Sequence, residues 1–126
     1  MASYVLVVDD EASIRAFLTR RLEAWGFPAR EAKDSTQALG MMSAEPADIA
    51  IVDLRMPGRD GLWLTEQIRR RWSNTAIIIA TGVDDLMSIE IARTLGAVDY
   101  VLKPFDQTLL HQAMERASEA VEWDKG

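Results

Sequence analysis

The run Tyr4-Val5-Leu6-Val7-Val8 is almost continuously apolar and rich in β-branched residues, the composition of a strand buried on both faces. Asp9-Asp10-Glu11 follows at once, and then Ile14, Phe17, Leu18, Leu22 and Trp25 recur at helical spacing. This predicts an amphipathic helix from Asp10 to Trp25, stopped by Gly26. The same alternation repeats along the chain. Ala29 to Ala32 is a weak strand, followed by a helix from Ser35 to Ser43 that ends before Pro46. Ile49–Val52, Ala76–Ala80 and Val98–Leu102 are three further strands, separated by helices over Leu62–Trp72 and Asp85–Leu95. In the second of these helices Leu86, Ile89 and Leu95 form the inward stripe, with Met87 and Ile91 turned away. The last helix takes Asp106 as its N-cap and carries Leu109, Leu110, Ala113, Met114, Ala117 and Val121 on one side. Five β/α units in alternation predict an α/β architecture. Parallel strands need crossover connections, so the sheet is open and parallel, with helices on both faces.

Composition agrees with one globular domain over residues 1–126, in which 117–126 is the end of the last helix or the start of a linker. The chain has 126 residues, 48% hydrophobic and 27% charged, enough to hold a core without metal or disulfide. It has no cysteine, so thiol nucleophiles and Cys-containing zinc sites are excluded. A formal net charge of -6 opposes contact with nucleic acid or an anionic membrane. No apolar run approaches the roughly 20 residues of a membrane helix, and residues 1–10 lack the basic segment of a secretion signal. The expected location is cytoplasmic. No internal repeat or Pro/Gly/Ser-rich linker divides the chain.

In an open parallel sheet, ligands sit beyond the carboxyl ends of the strands. The residues that follow the strand runs are Asp9, Asp10 and Glu11, then Asp53, Thr81 and Lys103, and they should meet at one edge. Carboxylates gathered there repel one another unless a cation neutralises them. A hard divalent ion, Mg²⁺ or Mn²⁺, suits such oxygen donors, and Mg²⁺ commonly leaves its other positions to water and phosphate. A phosphoryl group is thereby implied, with Asp53 the best-placed nucleophile, Lys103 a second positive charge and Thr81 a hydroxyl donor.

Four stretches together resemble the receiver domains of two-component response regulators. They are Val7-Val8-Asp9-Asp10-Glu11, Asp53-Leu54-Arg55-Met56-Pro57-Gly58-Arg59-Asp60-Gly61, Thr81-Gly82, and Gly96-Ala97-Val98-Asp99-Tyr100-Val101-Leu102-Lys103-Pro104-Phe105. The resemblance covers nearly the whole chain. It implies a flavodoxin-like three-layer sandwich with strand order 2-1-3-4-5 and five helices. By similarity, Asp53 accepts phosphate from a partner histidine kinase or histidine phosphotransfer protein. Asp10 ligates Mg²⁺ directly, Asp9 through water, Asp53 through a side-chain oxygen and Arg55 through its backbone carbonyl. Lys103 pairs with the phosphoryl group, and Thr81 and Tyr100 occupy the switch positions, with the Lys103–Pro104 peptide cis. Arg55 and Val83 flank the water that removes the phosphate; Val83 offers nothing to orient it, so autodephosphorylation is expected to be slow. The implied role is regulatory rather than enzymatic. Output passes through the fourth and fifth helices to an output domain, a target protein or a phosphorylation-dependent homodimer, and the chain is a stand-alone regulator or the receiver portion of a longer protein.

Each feature also has a plainer reading. Asp9 and Asp10 fit as caps of the first helix, Met56-Pro57-Gly58 as turn chemistry, and Tyr100 as a strand aromatic. His111, the sole histidine, reads as a surface residue, and Arg69-Arg70-Arg71 as the end of a helix whose dipole it complements. Trp63, one position off the Leu64 and Ile68 face, reads as partly exposed. FMN binding would need a phosphate-cradling loop after the first strand, where this chain has three acids. An aspartyl-phosphate hydrolase would carry an acid at position 55, where this chain has Arg55. The remaining alternative is a degenerate receiver that acts as a phosphorylation-independent interaction module.

Overall fold

The structure, a computed structural model, describes residues 3–56, 58, 60–82 and 86–123. Its elements alternate without exception: β1 (Val5–Val8), α1 (Ala12–Ala24), β2 (Ala29–Ala32), α2 (Ser35–Ala44), β3 (Ile49–Val52), α3 (Gly61–Arg71), β4 (Ala76–Gly82), α4 (Leu86–Thr94), β5 (Asp99–Lys103) and α5 (Gln107–Ala120). The sheet is parallel throughout, in the order β2-β1-β3-β4-β5. This is the flavodoxin-like arrangement that the resemblance implies.

The two-residue period of the strands divides the core into two layers. Leu6, Val8, Ala50, Val52, Ile77 and Ile79 face Met42 of α2, Leu64 and Ile68 of α3, and Ile89 of α4. Their neighbours Val5, Val7, Ile49, Ile51 and Ile78 face Leu18 and Leu22 of α1 and Leu110, Met114 and Ala117 of α5. β1 and β3 are buried at every position, as strands covered on both faces must be. Three helices open on an aspartate whose carboxylate takes an N–H of the first turn: Asp34 from Gln37, Asp60 from Trp63 and Asp106 from Leu109.

Several boundaries and faces differ from the sequence reading. β4 runs on through Thr81 and Gly82, and β5 spans Asp99 to Lys103, because the β4–β5 ladder continues to the Gly82–Lys103 pair. Thr81 and Lys103 are therefore held by strand backbone rather than by loops. Val98 lies before β5 and is exposed. α1 begins at Ala12 rather than Asp10. Leu109 and Phe17 are exposed too, since Leu110 and Leu18 take the inward positions and residues about 100° further round a helix cannot share them. Phe17 stacks on Phe105, with ring centroids 6.1 Å apart. α4 turns Ile89 and Ala92 into the core, while Leu86, one turn earlier, overhangs it and is exposed. Trp63 packs against the core, partly buried. Pro57, Arg59, Val83 and Asp85 lie outside the described residues.

Candidate functional site

The carboxyl ends of β1, β3 and β5 bring together the acids and the lysine that the sequence singled out. Asp9 and Asp53 follow β1 and β3 directly and are buried, whereas Asp10 is exposed. One carboxylate oxygen from each of Asp9, Asp10 and Asp53 falls within 4.8 Å of the others. Lys103 reaches across from β5. Its Nζ donates to Asp9 Oδ2 at 2.8 Å and to Asp53 Oδ2 at 3.3 Å, so the ammonium stands between two buried carboxylates and offsets their repulsion.

The remaining oxygens are oriented by backbone. Arg55 N–H donates to Asp53 Oδ1 at 3.1 Å, and Glu11 N–H to Asp9 Oδ1 at 2.9 Å. The latter bond answers the capping reading. Glu11 is the N-cap of α1 and its side chain makes no cap bond, so neither aspartate is the cap residue and Asp9 instead anchors the loop that leads into the helix.

Burial raises the Asp53 pKa, and the Asp9 charge adds to the effect; the Arg55 N–H and the Lys103 charge oppose it without cancelling it. Lys103 is also raised. Burial pulls its pKa down, but the hydrogen bond to Asp9 and the charges of Asp53 and Asp9 outweigh that. The pair thus favours an ammonium facing a carboxylate that is costly to ionise, which is the electrostatic state a bound cation relieves. The donor set fits Mg²⁺ or Mn²⁺: three carboxylates, all oxygen, with no thiolate or imidazole beside them among the described residues.

The other singled-out residues divide clearly. Thr81 is buried near the end of β4, one residue before the Gly82 that pairs with Lys103. Tyr100 lies in β5 opposite Ile79 and is 38% exposed. The Arg55 residue is exposed while its N–H serves Asp53, and the Lys103–Pro104 peptide is cis. Val83 falls outside the described residues. His111 is a surface residue with neighbours: its side chain is 45% exposed, its ring lies 4.6 Å from that of Trp25, and its Nδ1 is 3.3 Å from Glu115. The arginines at the end of α3 all have partners, and Arg71 also reaches Ser43 of α2. Arg69 donates to the Ser73 carbonyl, Arg70 faces Glu66, and Arg71 covers Trp72.

Two supporting residues were given no individual role from the sequence, although Gly61 closes one of the stretches that carry the resemblance. Arg15 of α1 donates through Nη1 to the backbone carbonyl of Asp9 at 2.6 Å and through Nε to Glu31 of β2 at 3.1 Å, which ties the end of β1 to its neighbours. Gly61, the first residue of α3, presses its backbone against the acceptor loop. A Cβ there would stand 2.2 Å from the Asp53 carbonyl oxygen, and the Gly61 N–H donates to Leu54 O at 3.1 Å. A glycine directly after the helix-capping Asp60 is the signal that could have shown it, because that position has no helical reason to lack a side chain.

Comparison with known proteins gives one consistent result. A sequence model described as the response regulator receiver domain matches residues 5–115. The DNA-binding transcriptional regulator NtrC of Salmonella typhimurium is 38% identical over 113 residues, 90% of this chain and 24% of the relative. A putative NtrX-like response regulator of Rickettsia felis is 38% identical over 117 residues, 91% of this chain and 25% of the relative. This chain thus spans about a quarter of those relatives. Among solved structures, the receiver domain of NtrX from Brucella abortus superimposes with a TM-score of 0.88 at 30% identity, covering 91% of this chain and 98% of that one. The chemotaxis protein CheY4 of Vibrio cholerae gives 0.84 at 26% identity, covering 93% and 99%.

Proposed function

The chain belongs to the response regulator receiver domain family of two-component signalling, and from that premise we propose that it is a phosphoacceptor switch in which Asp53 takes a phosphoryl group from a partner phosphohistidine. The observation that carries this reading is the single ammonium of Lys103 shared by the buried carboxylates of Asp9 and Asp53. A phosphorylation-independent interaction module would have no use for that arrangement.

In the reaction an Asp53 oxygen attacks phosphorus, the N–P bond of the donor breaks, and its electron pair returns to the imidazole, leaving an acyl phosphate on Asp53. The Arg55 N–H holds the attacking carboxylate in orientation. Lys103 exchanges its bond to Asp53 for one to a phosphoryl oxygen and remains paired with Asp9. Asp9, Asp10, Asp53 and the Arg55 backbone carbonyl would hold Mg²⁺ or Mn²⁺, which when bound neutralises charge on the phosphoryl oxygens. Water later attacks the phosphorus and returns Asp53 to a carboxylate, with Arg55 and Val83 setting the rate; because Val83 cannot orient that water, the decay is slow.

Output follows from Thr81 and Tyr100. The Thr81 hydroxyl moves toward the phosphoryl group and the Tyr100 ring turns inward, which changes the surface of α4 and α5, where Met87, Ile91 and Leu109 are exposed. A histidine kinase or histidine phosphotransfer protein feeds the site in the cytoplasm. An output domain, a target protein or a second copy reads the altered face, without direct contact between this domain and nucleic acid. The domain is regulatory and assists its own phosphorylation and dephosphorylation. Mg²⁺ and beryllofluoride, whose complex mimics a phosphoryl group on Asp53, should bind together and change Trp fluorescence or amide shifts, and Asp53→Ala should abolish the response. Strong beryllofluoride binding without Mg²⁺, or in Asp53→Ala, would overturn the mechanism.

A further inference from the structure

Among the described residues β5 is an edge strand, paired only with β4, and its Asp99 is engaged on both sides. Asp99 Oδ1 accepts the Tyr100 N–H at 2.8 Å. Its Oδ2 accepts from Arg116 of α5, through Nε at 2.7 Å and Nη2 at 2.5 Å. The Asp99 side chain is 15% exposed and that of Arg116 60%, so a mostly covered carboxylate is tied to the backbone of Tyr100 at one end and to a helix at the other. Arg116 immediately precedes Ala117, which is fully buried, so the helix end of the tie is anchored in the core. Between α5 and β5 lies a groove of about 350 Å³ lined by Asp99, Tyr100, Leu102, Leu109 and Arg116. Tyr100 lines it, and among the described residues the ring hydroxyl has no hydrogen-bond partner. The ring is thus not held by its own polar tip, while Arg116 lines the same groove and Asp99 holds the Tyr100 backbone.

We propose that Asp99 and Arg116 form a clasp that holds Tyr100 in its outward position and so sets how readily the phosphoryl signal reaches α5. The proposal rests on the reading of Tyr100 as a switch residue given above. Asp99 and Arg116 touch no reacting atom; they act as positioning residues. A contact made only in the outward state adds to the work of turning the ring inward, and its removal moves the balance toward the inward state by the same factor. For a charge pair with one exposed partner that factor is about twofold to fivefold. Linkage carries it to the phosphoryl end of the switch, so beryllofluoride binds tighter by that factor when the clasp is broken.

The chain contains two tyrosines, which makes 3-fluorotyrosine a selective probe. Tyr4 is buried, its hydroxyl donates to the Glu45 carbonyl, and Arg30 covers its ring, so its ¹⁹F signal reports an intact fold. In the unliganded protein, Arg116→Gln and Asp99→Asn should each move the Tyr100 signal toward its position in the Mg²⁺–beryllofluoride complex. Both should tighten beryllofluoride binding twofold to fivefold, with Arg116→Lys in between and the Tyr4 signal unchanged. The effects of Asp99→Asn and Arg116→Gln should not add in the double variant, because each breaks the same bond. An Arg116→Gln protein with wild-type Tyr100 signal and affinity, or full additivity of the pair, overturns the clasp. If beryllofluoride leaves Tyr100 unmoved in the wild-type protein, the switch reading fails and the clasp falls with it; if Tyr100 moves but the variants match wild type, the clasp alone fails.

Discussion

Alanine at position 61 should damage both the stability of the domain and the acceptor, against helix propensity. The added Cβ would stand 2.2 Å from the Asp53 carbonyl oxygen, 2.6 Å from Leu54 Cα and 2.8 Å from the Asp53 carbonyl carbon. All three are backbone atoms, so no side-chain rotation relieves the contact, and α3 must part from the acceptor loop by roughly 1 Å to restore van der Waals separation. Overpacking of this kind costs about 1–3 kcal/mol. Alanine recovers at most about 1 kcal/mol through its better helix propensity, leaving a net loss of about 0–2 kcal/mol when it recovers that much. For a domain of this size the urea midpoint should fall by up to roughly 1 M. A displacement of that size at the nucleophile should slow phosphorylation from acetyl phosphate on the order of 10²-fold. Gly40 provides the control: it lies in α2 with nothing within 4 Å of a Cβ, so Gly40→Ala should stabilise by about 0.5–1 kcal/mol and leave phosphorylation alone. If Gly61→Ala unfolds at the same or higher urea than wild type and phosphorylates at the wild-type rate, the close approach does not position Asp53.

Asp53→Asn should stabilise the fold near neutral pH. The folded pKa of Asp53 is raised, so folding takes up a proton and stability is lost as pH climbs from the ordinary carboxylate range through the raised value. The advantage of asparagine should therefore appear above that window and shrink in acid, as followed by urea unfolding at stepped pH; an advantage independent of pH would contradict the assignment. Lys103→Ala leaves Asp9 and Asp53 facing each other without their shared ammonium. Phosphorylation from acetyl phosphate should slow on the order of 10²-fold, and added Mg²⁺ should raise the melting temperature more than it does in wild type; an unchanged rate would count against Lys103. Thr81→Ala should keep Mg²⁺-dependent beryllofluoride binding while erasing the amide-exchange changes in α4 and α5. Equal loss of binding and response would refute the separation of acceptor from switch.

The alternation of β-branched runs with helical spacing was sufficient for the parallel sheet, because a strand buried on both faces has no polar side to display. β1, β3 and most of β4 stood out for that reason. The faces of the helices were harder to read. Phe17, Leu86 and Leu109 fit an inward stripe by spacing and apolar character, yet each is exposed. Periodicity specifies an angle about the helix axis but not which few turns overlie the sheet. The ends of β4 and β5 were hidden for a related reason: a strand continues while its neighbour continues, and Thr81 and Lys103 belong to the ladder through each other's strands.

Sequence alone determined which residues gather at the site, since acids, a hydroxyl and a lysine at the carboxyl ends of strands must meet at one end of a parallel sheet. Tertiary structure decided how they are held. The Lys103 ammonium lies between Asp9 and Asp53 because β5, 94 residues along the chain from Asp9 and 50 from Asp53, passes near enough for one side chain to reach both. Gly61 matters because two backbones meet there, and Arg15 and Asp99 because each bonds partners on separate elements of the fold. Such contacts depend on the relative placement of distant segments, which local composition does not encode and packing alone sets.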